Sequence, residues 1–188
     1  LTRGIAMARS MWSCPGRWIL PAVVALILAT GTTGQASTSI SQGSLVEVDQ
    51  ATVSEILDVF HKAEAAIAAE NLEGVMALYA THYNYHGLRP ADIRKIWSEL
   101  LREYRNITDT HVFLQIVKVG SGANAIIEVT CTGSLSGISK TTDLQIPIDS
   151  WHEEVHVLTR EGGVWRIRGH AGETSRVLPF GTAPHPLF

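Results

Sequence analysis

The feature that most constrains this chain is a change of period. Up to Tyr104 its apolar residues recur at helical spacing; after Asn106 they alternate with a period of two. Val53, Ile56, Leu57, Phe60, Ala63, Ala66 and Ile67 share one face of a helix expected over 52–70. Asn71 caps a second helix, striped by Leu72, Val75, Met76 and Tyr79. A short extended segment, His82 to His86, is closed by Gly87. Pro90 opens a third helix, in which Ile93, Ile96, Trp97, Leu100, Leu101 and Tyr104 form the most regular stripe in the sequence. Four strands follow, over 111–119, 125–135, 151–160 and 164–171. Residues 136–150 read as a polar hairpin extension or flap, with Pro147 unsuited to a central strand. Consecutive strands without helices between them build an antiparallel meander rather than a doubly wound sheet. The expected fold is therefore α+β, three helices covering one face of a curved antiparallel sheet.

The ends of the chain read differently. Arg3, Arg9 and Arg17 precede an uncharged run, Trp18 to Ala29, and small residues follow it. This is the order of a secretory signal, with Gly34 and Ala36 at the −3 and −1 positions of a cleavage site. An apolar run of about 12 residues is short against the roughly 20 needed to span a bilayer. Residues 1–36 are thus a signal peptide or an N-terminal anchor centred on 18–30, and Met7 or Met11 is a candidate first residue. The expected product is exported, periplasmic or secreted, and touches membrane only through this segment. Residues 37–50, rich in Ser, Thr and Gln, read as a linker, 51–175 as the folded domain, and 176–188 as an extended Pro-containing tail.

Removing the three leader arginines from the 15 basic residues leaves 12 against 18 acids, a net charge of −6. Nucleic-acid binding leans on phosphate neutralisation, so no nucleic-acid partner is expected. Cys14 belongs to the leader, and Cys131 is left without an internal disulfide partner, reading as a small buried residue on a strand. No phosphate loop, dinucleotide fingerprint or Ser/His/Asp set is present, and no cofactor is expected.

The last hairpin assigns the faces of the sheet. A three-residue loop, Glu161-Gly162-Gly163, would pair Arg160 with Val164 and Val157 with Ile167. Val155, Val157, Trp165 and Ile167 then face the helices. His156 opposite Arg168 and Glu154 opposite His170 face outward. Period two also puts His152, Glu154 and His156 on one face, a weak alternative as metal ligands, since Arg166 and Arg168 on the paired strand would repel a cation. The outer face is the expected surface for a homodimer.

The run Ala68-Ala69-Glu70-Asn71-Leu72-Glu73-Gly74-Val75-Met76-Ala77-Leu78-Tyr79, then Asn84-Tyr85-His86-Gly87, and finally Gly163-Val164-Trp165-Arg166-Ile167, resemble the NTF2-like superfamily, in its SnoaL-like or ketosteroid-isomerase-like branch. The resemblance spans about residues 50–174. It implies a cone-shaped sheet wrapped on a long helix, with a pocket at the wide end for a small, mostly apolar molecule. In isomerase and cyclase members an acid or His near the end of the short strand handles a substrate proton, and His86 falls near that place. Their second group, a donor on the penultimate strand, falls near Val155, which cannot donate; Glu153, on the same expected face, is the nearest carboxylate. Tyr83, Tyr85, Trp97, Tyr104, Trp151, Val155 and Trp165 are the expected lining. Three readings stay open: a pocket protein binding a small ligand, a non-catalytic dimerisation or interaction domain of the cell envelope, and an isomerase or cyclase with His86 as general base.

Overall fold

A computed structural model describes residues 37–85, 87–122 and 125–169. The expectations for the leader, His86, His170 and the tail lie outside these residues. Among the described residues no helix is long and apolar enough to cross a membrane.

The elements run β1 (Ser37–Glu47), α1 (Gln50–Ala68), α2 (Leu72–Met76), α3 (Pro90–Glu103), β2 (Tyr104–Val119), β3 (Ile126–Ser139), β4 (Gln145–Glu161) and β5 (Val164–Ile167). The five strands form one sheet in the order β1-β2-β3-β4-β5. From β2 onward it is the expected antiparallel meander. The hairpin extension is continuous: β3 and β4 stay paired as far as Ile138 and Gln145, with a register shift that accommodates Pro147.

Residues 37–50 are not a linker. Ser37–Glu47 is a strand, parallel to β2. A parallel neighbour needs a long crossover, and α1 to α3 supply it. Its polar composition suits an edge strand with one side in solvent; the side chain of Thr38 turns inward and donates to the buried Glu64 of α1.

The helices form where their stripes predict. The Asp49 carboxylate accepts from Thr52 N at 2.8 Å and starts α1, Asn71 Oδ1 accepts from Gly74 N at 3.1 Å in α2, and Pro90 is the first residue of α3. Ile56, Phe60, Ala63 and Ile67 of α1, with Ile93, Trp97 and Leu101 of α3, are buried against Ile107, Phe113 and Ile116 of β2, Ile127, Val129 and Leu135 of β3, and Leu158 of β4. Leu78 to Asn84 run beside β5. Ile167 N donates to Leu78 O and Ala80 N to Ile167 O, each at 2.8 Å, so the far edge of β5 is paired.

The final turn differs from expectation. It is a two-residue loop, Gly162-Gly163, with Glu161 opposite Val164 and Leu158 opposite Ile167. Both glycines have positive φ, which suits a tight hairpin turn without an extra bulge residue. Trp165 and Ile167 face the helices as expected, but their partners are Arg160 and Leu158 rather than Val157. Val155 and Val157 take the other face of the strand, opposite Thr130 and Glu128, with Val157 nonetheless buried, and His156 points inward beside Val129.

A bulge higher in β4 explains how Trp151 and His156, of opposite parity, are both inside. Cys131 opposes Glu154 while Gly133 opposes Trp151, so Thr132 faces two residues, His152 and Glu153. Glu153 sits at φ 54°, and its N–H donates to Thr132 Oγ1 at 3.1 Å. One extra residue shifts the alternation by one, and every side chain below it changes face.

The Glu64 carboxyl shows the cost of interior placement. Burial raises its pKa, opposed by the Thr38 hydroxyl and by His61. The folded state therefore holds the Glu64 proton more tightly than the unfolded chain does. That contribution is fully present below the unfolded pKa and is lost as pH rises through the folded one. Glu64→Gln is expected to flatten the fall in stability as pH rises above the ordinary glutamate range, read as denaturation midpoints across a pH series; an unchanged slope would refute the assignment.

Candidate functional site

The interior beneath α1 is aromatic with a polar centre. Three adjacent strands supply it: Asp109 and His111 from β2, Cys131 from β3, Trp151 and His156 from β4. Asp109 is 3% exposed and His111, His156 and Cys131 no more than 1%. The Cys131 Sγ lies 2.9 Å from His156 Nε2 and accepts from the indole N–H of Trp151 at 3.0 Å. Rings enclose the group: His111 packs against Phe60 at 5.0 Å, Trp151 at 4.9 Å and His156 at 5.5 Å between centroids. Asp109 Oδ1 and His111 Nδ1 face one another at 3.4 Å, without the angle of a hydrogen bond.

Dry surroundings set the protonation states. Burial holds the His111 imidazole down at about 3 and pushes the Cys131 thiol up to about 12 in spite of the Trp151 N–H. Burial also lifts the Asp109 carboxyl well above its ordinary range, and the nearby Glu64 carboxyl adds to that. At neutral pH His111 is thus a neutral, weakly basic imidazole and Cys131 a thiol rather than a thiolate nucleophile, while burial opposes ionisation of Asp109. The Tyr83 hydroxyl, Asn84 Oδ1, Asp109 Oδ1 and both nitrogens of His111 are buried with no hydrogen-bond partner among the described residues.

The sequence-nominated residues scatter around this centre. Trp151 belongs to it. Tyr83 is buried, its ring 5.3 Å from that of Tyr79; Trp97 is buried and donates to Tyr79 Oη at 2.9 Å. Tyr85 and Tyr104 are half-buried, packed against the core. Trp165 is at the opposite end, donating to Glu55 at 3.0 Å under the Arg160 guanidinium, beside an open groove of about 570 Å³. A second groove, of about 760 Å³, lies between Met76, Pro90, Arg94 and Arg166. Val155 faces outward and lines no interior surface. Glu153 does not enter a pocket mouth: the bulge leaves its side chain 65% exposed. The His152, Glu154 and His156 set is broken by the same bulge, since His152 is 79% exposed while His156 is buried. His111 and Asp109 carry the one signal that could find them, polar residues at the inward positions of a strand bearing Ile107 and Phe113.

Gly133 makes room for the site. A Cβ there would collide with the carbonyl oxygen of Thr110 and with the Trp151 ring, both fixed by the sheet. Gly133→Ala is expected to destabilise the fold by roughly 3 kcal/mol, at the upper end of overpacking costs, measurable by denaturant titration. A cost below about 1 kcal/mol would mean that both the Thr110 backbone and the Trp151 ring give way.

No family model matches the chain, and no curated protein matches it. Solved structures do. A variant of Rv3472, a protein of unknown function from Mycobacterium tuberculosis, matches at 14% identity over 63% of this chain and 69% of its own, with a TM-score of 0.47. Aln2 from a Streptomyces species matches at 11% identity over 65% and 90%, TM-score 0.48. An NTF2-like protein of unknown function from Pseudomonas putida matches at 12% identity over 64% and 84%, TM-score 0.40. None of these three is more than 14% identical to this chain, and none of their TM-scores reaches 0.5.

Proposed function

We propose that this chain is an exported domain that binds a small, mostly apolar molecule in the interior between α1 and the sheet, with its polar end held by Asp109, His111 and Tyr83. One observation carries the reading: an otherwise aromatic interior contains unpartnered polar atoms on all three residues. Buried polar groups are nearly always bonded, and leaving one unsatisfied costs about 1–3 kcal/mol. A guest with one hydroxyl or carbonyl would satisfy the Asp109 and His111 atoms, which stand 3.4 Å apart, and its apolar body suits the Phe60, Phe113 and Trp151 rings. Export rests on the leader pattern of residues 1–36. Binding is favoured over proton abstraction, because burial opposes the Asp109 carboxylate and leaves the His111 imidazole a weak base.

A second reading, a dimer through the outer sheet face, is favoured by the valines placed there. Val112, Val117 and Val155 stand on that face among Thr130, Thr132 and Glu128, where the sequence pattern suggests His and Glu side chains. It excludes nothing in the first reading.

Native mass spectrometry of the protein purified from its own host is expected to show a retained organic molecule, and His111→Leu, close in volume, to keep the fold and lose it. Identical bare masses for both proteins, with no thermal shift from a panel of small hydroxylated or carbonyl hydrophobes, would end this reading.

A further inference from the structure

Three side chains of this interior have a property that a hydrogen-bonding pocket does not need. His111, Cys131 and His156, from three neighbouring strands, place one ring nitrogen each and the sulfur within 4.8 Å of one another, all buried. We propose that they form a binding site for a zinc-class metal ion. The site shares the interior assigned above to a small molecule but does not depend on that reading.

The donor set is two imidazoles and a thiolate, a combination that borderline-soft cations accept. With metal bonds of about 2.0–2.1 Å to nitrogen and 2.3 Å to sulfur, tetrahedral ligand atoms stand roughly 3.3–3.5 Å apart. Reaching that spacing asks Cys131 and His156, now 2.9 Å apart, to part by about half an ångström, and His111 to close by about one. Side-chain torsions on a fixed sheet supply such shifts.

The surroundings match what metal ligands need around them. The carboxyl of Asp109 stands 3.4 Å from His111 Nδ1, near enough to become its hydrogen-bond partner after a small rotation and so leave Nε2 for the ion. The Trp151 indole N–H points at the sulfur at 3.0 Å, and would stabilise it as a thiolate. Both nitrogens of His111 lack a hydrogen-bond partner among the described residues, which a purely structural core histidine would not tolerate without cost. Binding releases the thiol proton of Cys131 to solvent, so the site gains one cation and loses one proton. Three protein ligands leave a fourth position for water or for the polar end of a guest, an arrangement associated with reactive rather than structural sites.

The test uses the untagged full chain with Cys14→Ser, so that Cys131 is its sole thiol. After chelation, zinc is added to the folded protein and, separately, during refolding. One equivalent is expected to be retained on native mass spectrometry, with a raised thermal midpoint. Cobalt(II) is expected to give a thiolate charge-transfer absorption that zinc abolishes. Cys131→Ser and His111→Gln should each weaken zinc binding at least tenfold, whereas His152→Ala, on the exposed bulge, should leave it unchanged. The proposal falls if the parent chain retains no zinc by either route, if cobalt shows no thiolate band, or if Cys131→Ser binds as tightly as the parent. Should a ligand variant fail to fold, the cobalt band of the parent decides alone. A metal ion and an organic molecule differ in added mass, so either reading can fail without the other.

Discussion

The bulge at His152 and Glu153 is the constraint on which the interior depends. A strand presents alternate residues to alternate faces, so without an extra residue Trp151 and His156 could not both look toward α1. With it, Trp151 reaches Cys131 from one side and His156 from the other, while His152 and Glu153 go to solvent. Gly133 completes the arrangement, since only a residue without a side chain leaves space for the Trp151 ring on the adjacent strand. A local irregularity in one strand thus decides which chemistry the fold encloses.

The enclosed chemistry differs from a packed apolar core in kind. Asp109, His111, Cys131 and His156 sit among Phe60, Phe113 and Trp151, where burial opposes the charged forms of Asp109, His111 and Cys131. Interiors of this composition hold together because large aromatic areas offset a few poorly satisfied polar groups. Stability given up in this way is commonly the counterpart of function.

Much of the fold was legible in the sequence, because helical stripes and caps are local. Asp49, Asn71 and Pro90 mark helix starts that the structure reproduces, and the switch to period two marks the meander. Strand β1 was not legible: its Ser, Thr and Gly residues carry little apolar signal, and its partner lies far along the chain. The site was less legible for a related reason. Strict alternation carries a face assignment straight along β4, and a bulge leaves no trace in hydropathy; Glu153, a non-glycine residue with positive φ, gives no warning of its conformation. A three-residue turn in place of Gly162-Gly163 by itself exchanges His156 for Val157, and the bulge above then returns Trp151 to the inward face.

The parallel edge strand has a kinetic consequence. Ser37 of β1 pairs with Thr110 of β2, after all three helices have been traversed. The first of the described strands therefore finds no neighbour until the chain beyond α3 is in place. The entropy of closing that long span falls on a step with few apolar contacts to offset it. Until then Thr38 has no sheet to belong to and Glu64 has no hydroxyl beside it, so completion of the interior on the α1 side is tied to a slow, long-range pairing.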